Sequence, residues 1–124
     1  MITLTLDPGT YAVCQFTDIK DVPPRKGDDF YSLTITANEV SLVCTQELVP
    51  KGTRCECDWR ILRLERPFDF NLVGILSGIL APLAQAEVSI FAISTYDTDY
   101  VLIHKGGLEQ ALATLRAAGY QVNA

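Results

Sequence analysis

The stretch EVSIFAISTYDTDYVLI, residues 87–103, decides the fold that the sequence predicts. Two apolar runs of strand length flank a polar segment from Ser94 to Asp99. Because this segment is rich in residues that form turns, the whole stretch predicts a β-hairpin. The tip of the hairpin carries hydroxyls, a phenol and two carboxylates. A polar tip beside apolar strands indicates a site for a small polar ligand.

Helical patterns lie on both sides of the predicted hairpin. Apolar residues recur at helical spacing over residues 72–83, where Asp69 or Asn71 is expected to cap the start and Pro82 to kink or shorten the end. A second amphipathic helix is predicted over residues 108–115, followed by a short strand. From Trp59 onward the predicted order is therefore β-α-β-β-α-β, which is typical of a ferredoxin-like unit.

The first half of the chain predicts strands and turns. Strands are expected at residues 11–16, 30–36, 40–44 and 57–64, with a loop over residues 18–29.

A short internal repeat links the two halves. The segment EVSLV at residues 39–43 is similar to EVSIF at residues 87–91, so the first half is interpreted as a degenerate copy of the second. The predicted fold is α+β, with tandem ferredoxin-like units at residues 1–58 and 59–124, the first one degenerate. Residues 88–93 are apolar at odd and even positions alike, so both faces of that strand are expected to be covered. The helices would cover one face, and the first half of the chain, a second subunit, or both would cover the other face or edge.

Composition excludes several classes of partner. The chain has 124 residues, is 48% hydrophobic and carries a net charge of −5. An acidic chain is unsuited to nucleic acid, because phosphate binding needs a basic patch. No apolar run approaches the roughly 20 residues of a membrane span, and no signal peptide is seen. We therefore expect a cytoplasmic protein.

Neither metal chemistry nor catalysis is predicted. The four cysteines lack C-x-x-C spacing, so no metal or other cofactor is expected. Cys55 and Cys57 would share one face of a strand, and Cys14 and Cys44 are typical of core positions. The carboxylates of the hairpin tip have no recognisable nucleophile to activate, so we expect no enzyme and no catalytic residue. Turn formation alone would also explain those carboxylates.

The quoted hairpin resembles one protein family. Residues 89–102, preceded by LVGIL at 72–76, resemble the ACT-domain family, in particular small bacterial tandem-ACT proteins related to the CASTOR arginine sensors. Residues 39–44 and 57–60 also resemble that group. ACT domains are regulatory βαββαβ modules that bind amino acids where two modules meet. Those sensors have four modules per chain, and this chain has about two, so the resemblance implies a homodimer.

The resemblance also implies which residues contact the ligand. The carried-over positions are Gly74, Ser89, Ile90, Thr95, Tyr96 and Asp99. Asp99 or Asp97 could pair with a ligand ammonium, backbone N–H groups at the helix start near Gly74 suit a carboxylate, and the Ser89 hydroxyl suits either. Ala86 stands where the arginine sensors have histidine, so the resemblance leaves the ligand's identity open.

Two functions follow from these expectations. The first is a regulatory protein that binds a small molecule, in particular an amino acid, and acts on a partner protein. The alternative is a ligand-free interaction module that dimerises or docks on a partner, with its pocket filled by side chains such as Tyr96. Bland roles remain open for Gly74, which could serve helix packing, and for Ser89, which could bond a neighbouring backbone group.

Overall fold

A computed structural model describes residues 2–65 and 74–124. The strands are β1 (Thr3–Leu6), β2 (Tyr11–Phe16), β3 (Ser32–Ile35), β4 (Val40–Thr45), β5 (Arg54–Leu64), β6 (Ile90–Ser94), β7 (Asp99–His104) and β8 (Gln121–Asn123). The helices are α1 (Ile75–Gln85) and α2 (Leu108–Ala117), with 3-10 turns at Ile19–Asp21, Gln46–Leu48 and Lys105–Gly107. The predicted α+β class is confirmed, and so is the β-α-β-β-α-β order from β5 onward.

Contacts divide the chain into two compact units. The sheet unit is Gly9–Trp59, and the helical unit is Met1–Pro8 together with Arg60–Ala124. Compactness does not reveal ancestry, so the duplication into ACT-like halves at residues 1–58 and 59–124 stays a prediction.

The sheet of the helical unit contains a strand from far away in the sequence. Its order is β6-β7-β5-β1-β8. Strand β1 runs antiparallel to β5, where Leu4 pairs with Leu64, and parallel to β8, where Leu4 pairs with Val122. The alternating pattern of residues 2–6 indicates a strand, but this strand lies between the first and last strands of the βαββαβ order.

Both helices pack their apolar residues into one core. Ile79 and Leu83 of α1 and Leu115 of α2 are buried with Leu4 and Val101 of the sheet. Helical spacing alone predicts these buried positions, because residues three and four apart share one helix face.

Proline does not end helix α1 early. The helix passes through Pro82 and ends at Gln85, and the Pro82 carbonyl accepts a 3.0 Å hydrogen bond from the Ala86 N–H. The helix therefore continues for about one turn after the proline before it ends. The predicted caps, Asp69 and Asn71, lie outside the described residues.

Strand β6 is covered less than its sequence predicts. Val88 is buried, but Ile90, Phe91, Ala92 and Ile93 are only half-buried. Among the described residues, β6 pairs with β7 alone. A single chain therefore leaves part of this apolar strand accessible.

The sheet unit is an antiparallel sheet in the order β3-β4-β2-β5. Residues 9–59 are all described, and they contain strands and two 3-10 turns but no α-helix. A small core forms on one face from Ala12, Cys14, Phe16, Leu42 and Cys44.

A bulge interrupts the pairing of β2 with β5. Tyr11 pairs with Trp59 and Val13 pairs with Glu56, so two residues of β5, Cys57 and Asp58, face Ala12 alone. Asp58 has a left-handed φ of 69°. The Gln46 side chain stabilises this conformation, because its Oε1 accepts a 2.8 Å hydrogen bond from the Asp58 N–H.

Candidate ligand-binding site

A network of threonine hydrogen bonds closes the hairpin turn of the helical unit. The Thr95 N–H and hydroxyl donate to the Thr98 carbonyl at 2.8 Å and 3.0 Å, and the Thr98 N–H donates to the Thr95 hydroxyl oxygen at 3.3 Å. Thr95 and Thr98 thus make three hydrogen bonds with each other across the turn. The residues between them, Tyr96 and Asp97, are exposed.

Thr98 anchors the turn to the sheet. Its side chain is 7% exposed, and its hydroxyl donates a 2.9 Å hydrogen bond to the Leu64 carbonyl at the end of β5. Nothing in the local sequence identifies this role, because the partner lies 34 residues away.

We expect Thr98→Val to lower the free energy of unfolding by about 1–3 kcal/mol, because the change leaves the Leu64 carbonyl without its buried donor. Urea unfolding followed by circular dichroism measures the effect. The matched control is Thr34→Val on the exposed strand β3, which should stay within about 0.5 kcal/mol of wild type. Equal stabilities of the two variants would show that the Thr98 bond does not hold the turn.

The turn also positions a carboxylate. Ser94 and Asp99 face each other at the ends of β6 and β7, and the Ser94 hydroxyl donates a hydrogen bond to Asp99 Oδ1. Asp99 is half-buried, whereas Asp97 is exposed. A neighbouring hydroxyl therefore orients the Asp99 carboxylate, which could accept hydrogen bonds from a cationic group. Ser94, which the sequence analysis did not select, orients it.

Tyr96, in the middle of the turn, is largely exposed. Its side chain is 88% exposed, so it does not fill a pocket within the helical unit. Of the six predicted ligand contacts, Thr95, Tyr96 and Asp99 are the three that the structure brings together in the turn.

Ser89 and Ile90 lie at the other end of β6. Six residues of extended chain separate Ser89 from Thr95, which corresponds to about 20 Å. The exposed Ser89 accepts a 3.3 Å hydrogen bond from the His104 N–H through its carbonyl, and Ile90 packs against the core. An amino acid is too short to contact both ends of β6 within one chain.

Gly74 adopts a conformation that favours glycine. It precedes α1 with a φ of 80°, and a Cβ atom there would meet nothing within 4 Å. The backbone conformation, rather than crowding, therefore explains this glycine. The Val88 N–H donates to the Leu83 carbonyl at 3.0 Å, which places the end of α1 near Ser89. Gly74 is about one helix length, roughly 16 Å, from that end.

Three further features of the described residues are their clefts, their possible metal ligands and the length of their helices. Clefts of about 340, 440 and 260 Å³ lie in the sheet unit, and none of the three is lined by a predicted ligand contact. Within residues 2–65 and 74–124, no group of three or more His, Cys, Asp or Glu side chains is arranged to hold a metal ion. No helix of that part of the chain is long and apolar enough to cross a membrane.

Most of the helical unit matches a known protein family. Residues 54–117 match the family model of the ACT domain. The chain belongs to the ACT-domain family. A separate model of an N-terminal domain matches residues 9–52. The ACT match includes the polar turn and both helices, so the candidate site lies within the ACT domain.

Curated relatives of this ACT-domain chain are sensors by name. The cytosolic arginine sensor for mTORC1 subunit 1 is 27% identical in Bos taurus and 26% identical in Homo sapiens, in each case over 91% of this chain. The chain spans 41% of the length of these relatives.

Solved structures share the fold. A protein from Agrobacterium tumefaciens is 30% identical, with a TM-score of 0.90 over 98% of this chain and 91% of its own. Aspartate kinase from Clostridium acetobutylicum is 12% identical, with a TM-score of 0.70 over 93% of this chain and 34% of its own. The second likeness concerns the fold alone, and it agrees with the predicted ferredoxin-like ACT units.

Proposed function

We propose that this ACT-domain protein binds an amino acid and regulates a partner protein in response. The observation that carries the proposal is the hairpin turn, where Ser94 orients the Asp99 carboxylate and Tyr96 is exposed. The name of the arginine-sensor relatives supports an amino-acid ligand. Regulation without catalysis, in the cytoplasm, is part of the same proposal.

A complete site would require two copies of the chain. Strand β6 has an outer edge without a strand partner in the described part of the chain, and its apolar residues are half-buried. Edge strands can pair with a second chain. If two copies pair antiparallel about Ala92, Ile90 of one copy faces Ser94 of the other. Ser89 of one copy then lies beside Thr95 of the other, which unites the two groups of predicted contacts.

The chemistry of such a shared site fits an amino acid. Asp99 of one copy binds the ligand ammonium through a charge-assisted hydrogen bond. The Ser89 hydroxyl of the other copy donates to the ligand carboxylate. Gly74 exposes backbone at the start of α1, where N–H groups favour an anion. Micromolar affinity needs about 8 kcal/mol in total, which these bonds and apolar burial can supply.

A thermal-shift panel with the twenty amino acids tests the proposal. At about 100 times Kd, the ligand should stabilise the protein by roughly 2.7 kcal/mol, which raises Tm by on the order of 10 °C for a chain of this size. The D-enantiomer of the ligand is the control and should give a much smaller shift. Sedimentation of the same sample should give the mass of a dimer. If no amino acid shifts Tm, the result would favour the ligand-free interaction module.

A further inference from the structure

The four cysteines of the chain form one connected group in the sheet unit. Cys14 and Cys44 are buried in the same small core, and Cys55 and Cys57 pack against it. Cys14 and Cys55 are also direct partners across β2 and β5. The Sγ atoms of Cys55 and Cys57 are 3.4 Å apart. A line of thiols therefore runs from Cys44, in the core, through Cys14 and Cys55 to Cys57.

Accessibility differs along this line. Cys14 and Cys44 are 2% and 0% exposed, and burial raises the pKa of the Cys14 thiol to about 11 and that of Cys44 above its ordinary value. Because both thiols are buried, reagents in solution cannot reach them, and the raised pKa values further lower their thiolate fractions. Cys55 and Cys57 are half-buried, so reagents in solution can reach this pair.

The backbone geometry permits a bond between Cys55 and Cys57. Residues two apart on a strand point to the same face, with Cα atoms about 6.6 Å apart. Disulfides span Cα distances up to about 6.8 Å. Cys57 also lies in the bulge of β5, where the strand bends and is freed from regular pairing with β2. A disulfide also needs Cβ atoms about 3.5–4.5 Å apart, so bond formation requires the backbone between the two cysteines to bend, as the bulge allows.

We propose that Cys55 and Cys57 are a redox-active dithiol that low-molecular-weight disulfides oxidise to an intrachain disulfide. The thiolate of one cysteine attacks the reagent disulfide and releases one small thiol, which leaves a mixed disulfide on the protein. The thiolate of the second cysteine then attacks the protein sulfur and releases the other small thiol. The protein loses two electrons and two protons, and the reagent is reduced to two thiols.

The hydrogen bond between the Cys55 and Cys57 thiols affects how readily their disulfide reopens. The Cys55 thiol, with burial as a smaller cause, raises the pKa of Cys57 above its ordinary value. Low-pKa thiolates leave faster in exchange, so attack that releases the Cys57 thiolate from the disulfide is slow. The carboxylates of Glu56 and Asp58 raise the same pKa. Their negative charge favours approach of a cationic reagent, which makes cystamine a suitable probe.

The sequence provides a direct readout. Trypsin cuts after Arg54 and Arg60, so both cysteines fall in one peptide, CECDWR, residues 55–60. The reduced full chain is treated with cystamine, free thiols are blocked with N-ethylmaleimide, and the digest is analysed by mass spectrometry. We expect this peptide to be unblocked and two hydrogens lighter than its reduced form. A cross-link to the peptide of residues 1–20, which carries Cys14, would overturn the proposal, as would retained cystamine adducts or complete blocking.

Two variants separate the exposed pair from the buried cysteines. Cys57→Ser should stop at a mixed disulfide with cystamine on Cys55. The control, Cys44→Ala at the buried end of the line, should still form the light peptide. An intrachain disulfide in Cys57→Ser, or its loss in a folded Cys44→Ala, would show that another pair reacts.

Discussion

Leu4→Ala is expected to destabilise the helical unit by about 2–5 kcal/mol. Leu4 is fully buried and lies in the interior strand β1, where it pairs with Leu64 and Val122. Its side chain belongs to the core that both helices cover. Truncation removes apolar contacts and leaves a cavity between elements that hydrogen bonds hold in place, so the site can collapse only partly.

Urea unfolding followed by far-ultraviolet circular dichroism measures this loss. The matched control is Leu33→Ala, since Leu33 lies on β3 and is 39% exposed. We expect the control to change stability by less than about 1 kcal/mol, because an exposed side chain contributes little. If Leu4→Ala is as stable as the control, β1 is not an integral strand of the helical unit.

Asp99→Ala is expected to abolish most of the stabilisation by the ligand. A hydrogen bond to a charged group contributes about 1.5–3 kcal/mol, so its loss weakens binding by roughly ten- to a hundredfold. At a concentration of 100 times the wild-type Kd, a hundredfold loss reduces the stabilisation from about 2.7 to about 0.4 kcal/mol. The fold should persist, because Asp99 is half-buried at the start of β7 and its Ser94 bond lies at the exposed end of the hairpin.

The matched control for this prediction is Asp97→Ala. Asp97 carries the same charge two residues away in the same turn, but it is exposed. Thermal shifts of both variants with the amino acid identified in the panel distinguish the two carboxylates. Asp97→Ala should respond like wild type. A loss of response in Asp97→Ala, with a normal response in Asp99→Ala, would assign the ligand ammonium to Asp97 instead.

Local patterns predict most of the elements and some of their partners. The hairpin of residues 87–103 and both helices follow from apolar periodicity, and Gly119 has the left-handed φ, 97°, expected after α2. Alternation also predicts β1, but not its place between β5 and β8. That place depends on pairing with Leu64 and Val122, and no local pattern encodes a partner so far along the chain.

The candidate site shows the same limit. The segment of residues 94–99 is polar, so its turn and the cluster of Thr95, Tyr96 and Asp99 could be predicted. The anchoring bond of Thr98 could not, because it depends on the position of the Leu64 carbonyl. The resemblance also predicts Ser89, Ile90 and Gly74 as contacts, but it does not predict that they lie far from the turn. The distance from Ser89 to the turn depends on the length of β6. Their role in binding stays a prediction.

The position of β1 has a consequence for the order of folding on the ribosome. Strand β1 is synthesised before the sheet unit, but Leu64 follows Leu4 by about half of the chain's length and Val122 follows it by almost all of that length. The residues of the sheet unit are all made before either partner region is complete. That unit can therefore fold first, while β1 remains unpaired until Leu64 and Val122 have been made. Pairing so distant in sequence slows folding, and an unpaired strand is prone to aggregation until its partners have been made.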